Sequence, residues 1–142
     1  LSELLKDEPI IRKVVLLGSP LLHSQAAERT LALPFSRSIF GPSLEALANP
    51  RTITLPNEIS AAAIAGYGPV KGSWNPLLDG ENDGIVRVAE ALPSNILYQE
   101  KLRSLHIGLV MNKGPFLLMQ HFLQTGNLNI NDSGREQLNG SS

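Results

Sequence analysis

With 142 residues, 42% of them apolar and 18% charged, the chain has the composition of one ordinary soluble globular domain. Twelve basic residues against thirteen acidic ones, with no basic block, give nothing that would draw it to nucleic acid. No apolar run approaches the roughly 20 residues that span a bilayer, and the lack of cysteine excludes disulfides, thiolate chemistry and cysteine metal sites.

In chain order, Ser2–Glu8 reads as the last turns of a helix stopped by Pro9. Ile10–Gly18 follows as a first strand, and its tail Val14–Leu17 is apolar without alternation. That pattern suits a strand covered on both faces, as in a parallel sheet. Gly18-Ser19-Pro20 ends it. Gln25–Leu33 and Pro42–Leu47 are helix candidates, closed by Pro34 and by Asn49-Pro50. Ser60–Ala65 is a second strand, weak in propensity because it is alanine-rich. Residues 66–84 are dense in Gly, Pro, Asn and Asp and read as a long functional loop. Glu90–Leu92 supplies one helical turn before Pro93, and Ile96–Leu102 a third strand. From Pro115, apolar residues at helical spacing predict a closing helix that ends near Gly126. Residues 129–142 read as a disordered polar tail. Strands separated by helices or long crossovers predict an α/β fold with a parallel sheet. Only three strands are visible, so the expected domain, residues 1–128, is incomplete and needs a preceding segment or another chain.

Asp83 and His106 are the candidate site residues. Each lies on a loop beyond an apolar strand-like run, in Asn82-Asp83-Gly84 and in Leu105-His106. A carboxylate followed by an imidazole on successive loops is what activates a nucleophile. The duller expectations are a turn aspartate that caps its own Asp-Gly loop and a histidine bonded to a backbone carbonyl. Asp79 and Glu81 are alternative acids. Asp79-x-Glu81-x-Asp83-Gly84, with Glu90 beyond, also approaches the spacing of a calcium loop, although Gly72, Pro76 and Pro93 forbid the flanking helices of an EF-hand. His23, after the Gly-Ser-Pro turn, is a weaker candidate for the same cleft, and His121 falls in the closing helix. Ser19, Ser24 and Ser104 are the serines open to nomination as a nucleophile. Turn and capping roles account for the first two, and Ser104 is too close to His106 in sequence for a productive contact. Leu31, Leu33, Phe35, Ile39 and Phe40 form a compact apolar stretch, read either as a lid or acyl-binding wall or as a small insert packed on the core.

These pieces together resemble the second half of bacterial α/β-hydrolases of the lipase/esterase type. Val14–Pro20 with Ser24 is similar to the strand and loop after the nucleophile helix, and Ala63–Gly66 to the next strand. Asn82-Asp83-Gly84-Ile85-Val86 is similar to the acid loop, Leu105-His106-x-Gly108-Leu109 to the histidine loop, and 116–126 to the final helix. The pattern departs in three places: His23 stands where the family has glycine, no G-x-S-x-G nucleophile elbow is present, and the earlier oxyanion loop is absent. The resemblance implies the C-terminal portion of an α/β-hydrolase sheet and a serine hydrolase acting on an ester or lipid-like small molecule. It carries Asp83 and His106 as the acid and the base, with the serine on a missing N-terminal segment or partner, and it implies no cofactor and no metal. The chain alone is then expected to be inactive or nearly so. The alternatives are a non-catalytic binding or structural remnant of the same fold and a calcium-binding loop module.

Overall fold

The computed structural model describes residues 11–33, 42–49, 55–68, 75 and 77–129. Three parallel strands form one open sheet in the order β1-β2-β3: β1 Lys13–Leu17, β2 Ser60–Tyr67 and β3 Tyr98–Arg103. Helices α1 (Gln25–Leu31) and α2 (Pro42–Ala48) lie between β1 and β2, and the short α3 (Val88–Ala91) between β2 and β3. After β3 come one turn, α4 (Gly108–Met111), and the closing helix α5 (Lys113–Thr125). The architecture is α/β with a parallel sheet.

β2 is the middle strand, and its propensity is the poorest of the three. Ala61, Ala62, Ala63, Ile64 and Ala65 are all buried, so packing on both faces decides the conformation where intrinsic preference does not. On one face Ala62 and Ile64 join Val15, Leu17, Tyr98 and Leu102 beneath Leu109, Leu118 and Phe122 of α4 and α5. Phe122 is fully buried and sets its ring 5.3 Å from that of Tyr98. Each such large apolar side chain contributes about 1.5–3 kcal/mol of burial free energy. On the other face Val14, Leu16, Ala61 and Ala63 meet Leu21, Leu55, Leu92 and Ile96, and Ala65 meets Val86 and Ala91. Ile96 therefore serves the core from just before β3 rather than from within it.

The outer strands differ from each other. β1 keeps an unbroken apolar run from Val14 to Leu17, whereas β3 alternates half-buried and exposed residues and carries Glu100, Lys101 and Arg103. Charged residues on an outer strand discourage further pairing.

Several boundaries depart from the sequence expectation: β1 starts at Lys13 rather than Ile10, α1 ends at Leu31 rather than Leu33, α3 spans Val88–Ala91 rather than Glu90–Leu92, and β3 starts at Tyr98 rather than Ile96. β2 runs on through Gly66 and Tyr67, which read as loop. A Cβ at Gly66 would lie 2.6 Å from the Ser104 carbonyl oxygen and 2.8 Å from Asp83 Cβ, so this glycine permits a close approach rather than breaking the strand. α4 was not visible in the sequence, because four residues show no period. α5 starts two residues before Pro115, which is compatible with proline because first-turn amides have no intrahelical acceptor. Gly126, at φ 80°, ends α5, and Lys13 Nζ donates to the last carbonyls, Leu123 at 2.8 Å and Gln124 at 3.1 Å. A cation there also complements the helix dipole. The expected helix over 2–8, the stretch holding Phe35, Ile39 and Phe40, and nearly all of the polar tail lie outside the described residues. Among the described residues, no helix is long and apolar enough to cross a membrane.

Candidate functional site

Parallel strands bring their following loops to one edge of the sheet. Here the loops after β1, β2 and β3 deliver Gly18, Asp83 and His106 to a common place. Asp83 is only 2% exposed. Its Oδ1 accepts the backbone amides of Val86 (2.8 Å) and Ile85 (3.0 Å), and its Oδ2 lies 2.8 Å from His106 Nδ1. The loop-capping role and the histidine contact are thus compatible, because each occupies a different carboxylate oxygen. A carboxylate can only accept, so this contact assigns a proton to Nδ1, and in the neutral ring Nε2 is then the lone-pair nitrogen. The two loops are joined a second time by the His106 amide, which donates to the Asp83 carbonyl at 3.0 Å.

The acid loop owes its shape to its neighbours in sequence. Asn82, fully buried, accepts the amides of Asn75 (2.9 Å) and Gly84 (3.0 Å) at Oδ1 and donates from Nδ2 to the carbonyl of Gly80 (3.0 Å). Gly84 turns the chain at φ 99°, where a side chain would be strained. The Asp83 amide and the Val86 carbonyl close the turn at 3.1 Å. Asn-Asp-Gly is therefore one device: the asparagine ties the loop, the aspartate faces the histidine and the glycine makes the turn.

The His106 ring is seated against the end of β1. A Cβ built on Gly18, itself at φ 52°, would stand 3.1 Å from His106 Nδ1, 3.2 Å from its Cε1 and 2.7 Å from Leu109 Cδ1. The ring thus reaches from the loop after β3, past Asp83 above β2, to the first residue after β1. About a third of the side chain stays exposed, and Nε2 has no hydrogen-bond partner among the described residues. In the same loop and in the α4 turn that follows, Leu105, Ile107, Val110 and Met111 are exposed apolar residues.

The other candidates are taken up elsewhere. Asp79 receives Gln25 Nε2 (2.6 Å) and Arg29 (3.0 Å), and Gln25 first and Arg29 second hold its carboxyl below the usual range. Glu81 pairs with Lys101 at 2.7 Å. Glu90 accepts Arg87 Nε at 2.7 Å. The four carboxylates at calcium-loop spacing therefore have four different sets of partners. Among the described residues no group of three or more acidic or histidine side chains is placed to hold a metal ion. His23 Nε2 lies 3.6 Å from Glu28, and His121 Nε2 contacts the Asn129 carbonyl at 3.1 Å. Ser24 caps α1 by accepting the Ala27 amide, and Ser19 donates weakly to the Leu17 carbonyl at 3.4 Å. Ser104 donates to the Leu105 carbonyl at 3.0 Å, and its Oγ lies against Gly108, where a Cβ would come within 2.5 Å.

Glu90 is the residue whose importance the sequence reading missed. It is 1% exposed, yet it was seen only as part of a helical turn and as the last position of a poor calcium loop. Its Oε1 accepts the Gln25 amide at 2.8 Å, so it holds the first turn of α1 from a distance of 65 residues in sequence. The one local signal was Arg87 at i−3, whose amide and guanidinium both donate to it. No family model, no characterised protein and no solved structure matches the chain.

Proposed function

We propose that this chain carries the acid and the base of a Ser–His–Asp hydrolase of the α/β-hydrolase type, acting on an ester or lipid-like substrate. The observation that carries the reading is the Asp83 Oδ2–His106 Nδ1 contact of 2.8 Å, with Nε2 left without a partner among the described residues. In this mechanism Nε2 takes the proton of a serine hydroxyl as that oxygen attacks the ester carbonyl, and later gives it to the leaving alcohol. Asp83 holds the tautomer that exposes the Nε2 lone pair and stabilises the imidazolium that forms. The two amides on Oδ1 keep the carboxylate from rotating away.

The nucleophile in this reading comes from polypeptide outside these 142 residues. No G-x-S-x-G elbow occurs in the sequence, and Ser19, Ser24 and Ser104 make turn, cap and backbone contacts instead. In this reading the serine meets the ring at Nε2, away from the Nδ1–Cε1 edge that rests near Gly18 at the end of β1. β1 is also the outer strand without charged residues between Val14 and Leu17. The uncharged exposed run of Leu105, Ile107, Val110 and Met111 favours an apolar acyl group.

The test uses the chain alone and the chain joined to whatever polypeptide precedes Leu1 in its gene. A fluorophosphonate should label the longer protein on a serine upstream of Leu1, with labelling lost in His106→Ala, and should leave the 142-residue chain unlabelled. Absence of labelling in a folded longer protein would end the hydrolase reading.

A further inference from the structure

We propose that Glu90 is a positioning residue for the Asp83–His106 pair, holding the loop after β1 in register with the loop after β2. Its carboxylate accepts the Gln25 amide and both Arg87 donors, and its backbone carbonyl accepts the Leu21 amide at 2.9 Å. One buried residue thus grips the loop between β1 and α1 at two points. On the acid side, the turn that Asp83 makes with Val86 leads directly into Arg87, which Glu90 holds at 2.7 Å.

A closed circuit results. Asp83 bonds Val86; Arg87 bonds Glu90; Glu90 bonds Leu21 and Gln25; the loop they end begins at Gly18, which supports the His106 ring; and His106 returns to Asp83. Within this circuit the Asp83–His106 bond alone fixes one end of the imidazole, and Gly18 fixes the face it rests on. Glu90 is the only carboxylate among the described residues that joins the β1 loop to the acid loop from a fully buried position; Asp79 bridges the same two regions on the surface. A buried carboxylate with several donors is costly to disrupt on one side only, which suits a fixed joint between loops.

The inference takes the proposed reading only for the identity of the working pair. Its readout is ring geometry, so a failed labelling experiment and a failed positioning role are separate results. Glu90→Gln in the full chain keeps the shape of the side chain and removes its charge. Amide exchange at Gln25, which donates to the carboxylate, should rise at least roughly tenfold, as loss of a charge-assisted hydrogen bond implies, and exchange at Leu21, bonded to the Glu90 backbone carbonyl, should rise as the loop loosens. The NMR signal of the His106 Nδ1 proton should broaden or vanish, with wild-type secondary structure retained. Faster exchange at Leu21 and Gln25 with an unaltered His106 signal would overturn the proposal and leave Glu90 a helix cap.

Should Glu90→Gln fail to fold, Gln25→Pro removes the amide that Glu90 accepts, together with the side chain that reaches Asp79, at a first helical position where proline is favoured. Gln25→Ala, which loses the side chain and keeps the amide, is its control. The proposal requires the proline variant to disturb the His106 signal and the alanine variant to spare it. Equal effects in the two, or none in either, would refute it.

Discussion

The acid loop and the histidine loop face each other across one hydrogen bond, yet they are built differently. Asp83 has both oxygens engaged, is sealed from solvent and sits on a turn tied by Asn82. His106 has one nitrogen engaged, stands a third exposed and is flanked by exposed apolar side chains. The acid is part of the fold, while the base is held by the fold with one side left open. The hydrolase proposed above, with a fixed carboxylate and an imidazole that meets a second reactant, would call for that asymmetry.

The sharpest way to break this comparison is to remove each partner in turn. Asp83→Ala strands the amides of Ile85 and Val86 and the His106 ring, and should destabilise the chain by about 2–4 kcal/mol. His106→Ala deletes one partner of a single bond at a wetter position and should cost only about 1 kcal/mol. Urea denaturation of the two variants checks the difference. Equal losses would mean that the aspartate is no more structural than the histidine. In the complete hydrolase proposed above, Asp83→Asn should lower kcat by a factor on the order of 10⁴, since an amide in place of Oδ2 selects the wrong tautomer.

Next in size is Gly66→Ala. The added methyl would meet the Ser104 carbonyl and Asp83 Cβ below 3.0 Å, so strand and acid loop must part. A loss of about 1–3 kcal/mol in the same denaturation series is expected, together with a shifted His106 ring signal. Stability and ring signal both unchanged would show that the acid loop has slack there.

The smallest effect concerns the surface tie. Asp79 titrates below its ordinary value of 3.8 because Gln25 and Arg29 favour its charged form. A lowered carboxyl contributes stability that is present above the unfolded value and is lost as pH falls through the folded one. Asp79→Asn should therefore remove a contribution present at neutral pH, small because the group is fully exposed, and flatten the profile below pH 4, where variant and wild type converge. A marked loss at pH 7 would move the structural weight from Asp83 towards Asp79.

How much of this was legible in the sequence follows the range of the interactions. Asn82-Asp83-Gly84 could be read because its bonds run over two or three residues, and Val14–Leu17 because burial on two faces leaves an unbroken apolar run. Pairing Asp83 with His106 rested on their order on successive loops and on the resemblance, since 23 residues separate them and no local pattern links them. Gly66 was assigned to the long loop rather than to β2 because its close neighbours, Ser104 and Asp83, come from other segments. Glu90 was passed over for the same reason: its decisive partner, the Gln25 amide, is on another helix, and a backbone amide leaves no mark in the sequence.

The most direct measurement is the tautomeric state of His106 in the wild-type chain, read from the nitrogen shifts of its ring. The account predicts that the neutral ring carries its proton on Nδ1, protected by the Asp83 carboxylate, with Nε2 bare. A neutral ring protonated on Nε2, or one exchanging between the two forms, would contradict it, because neither would offer a directed lone pair to a nucleophile.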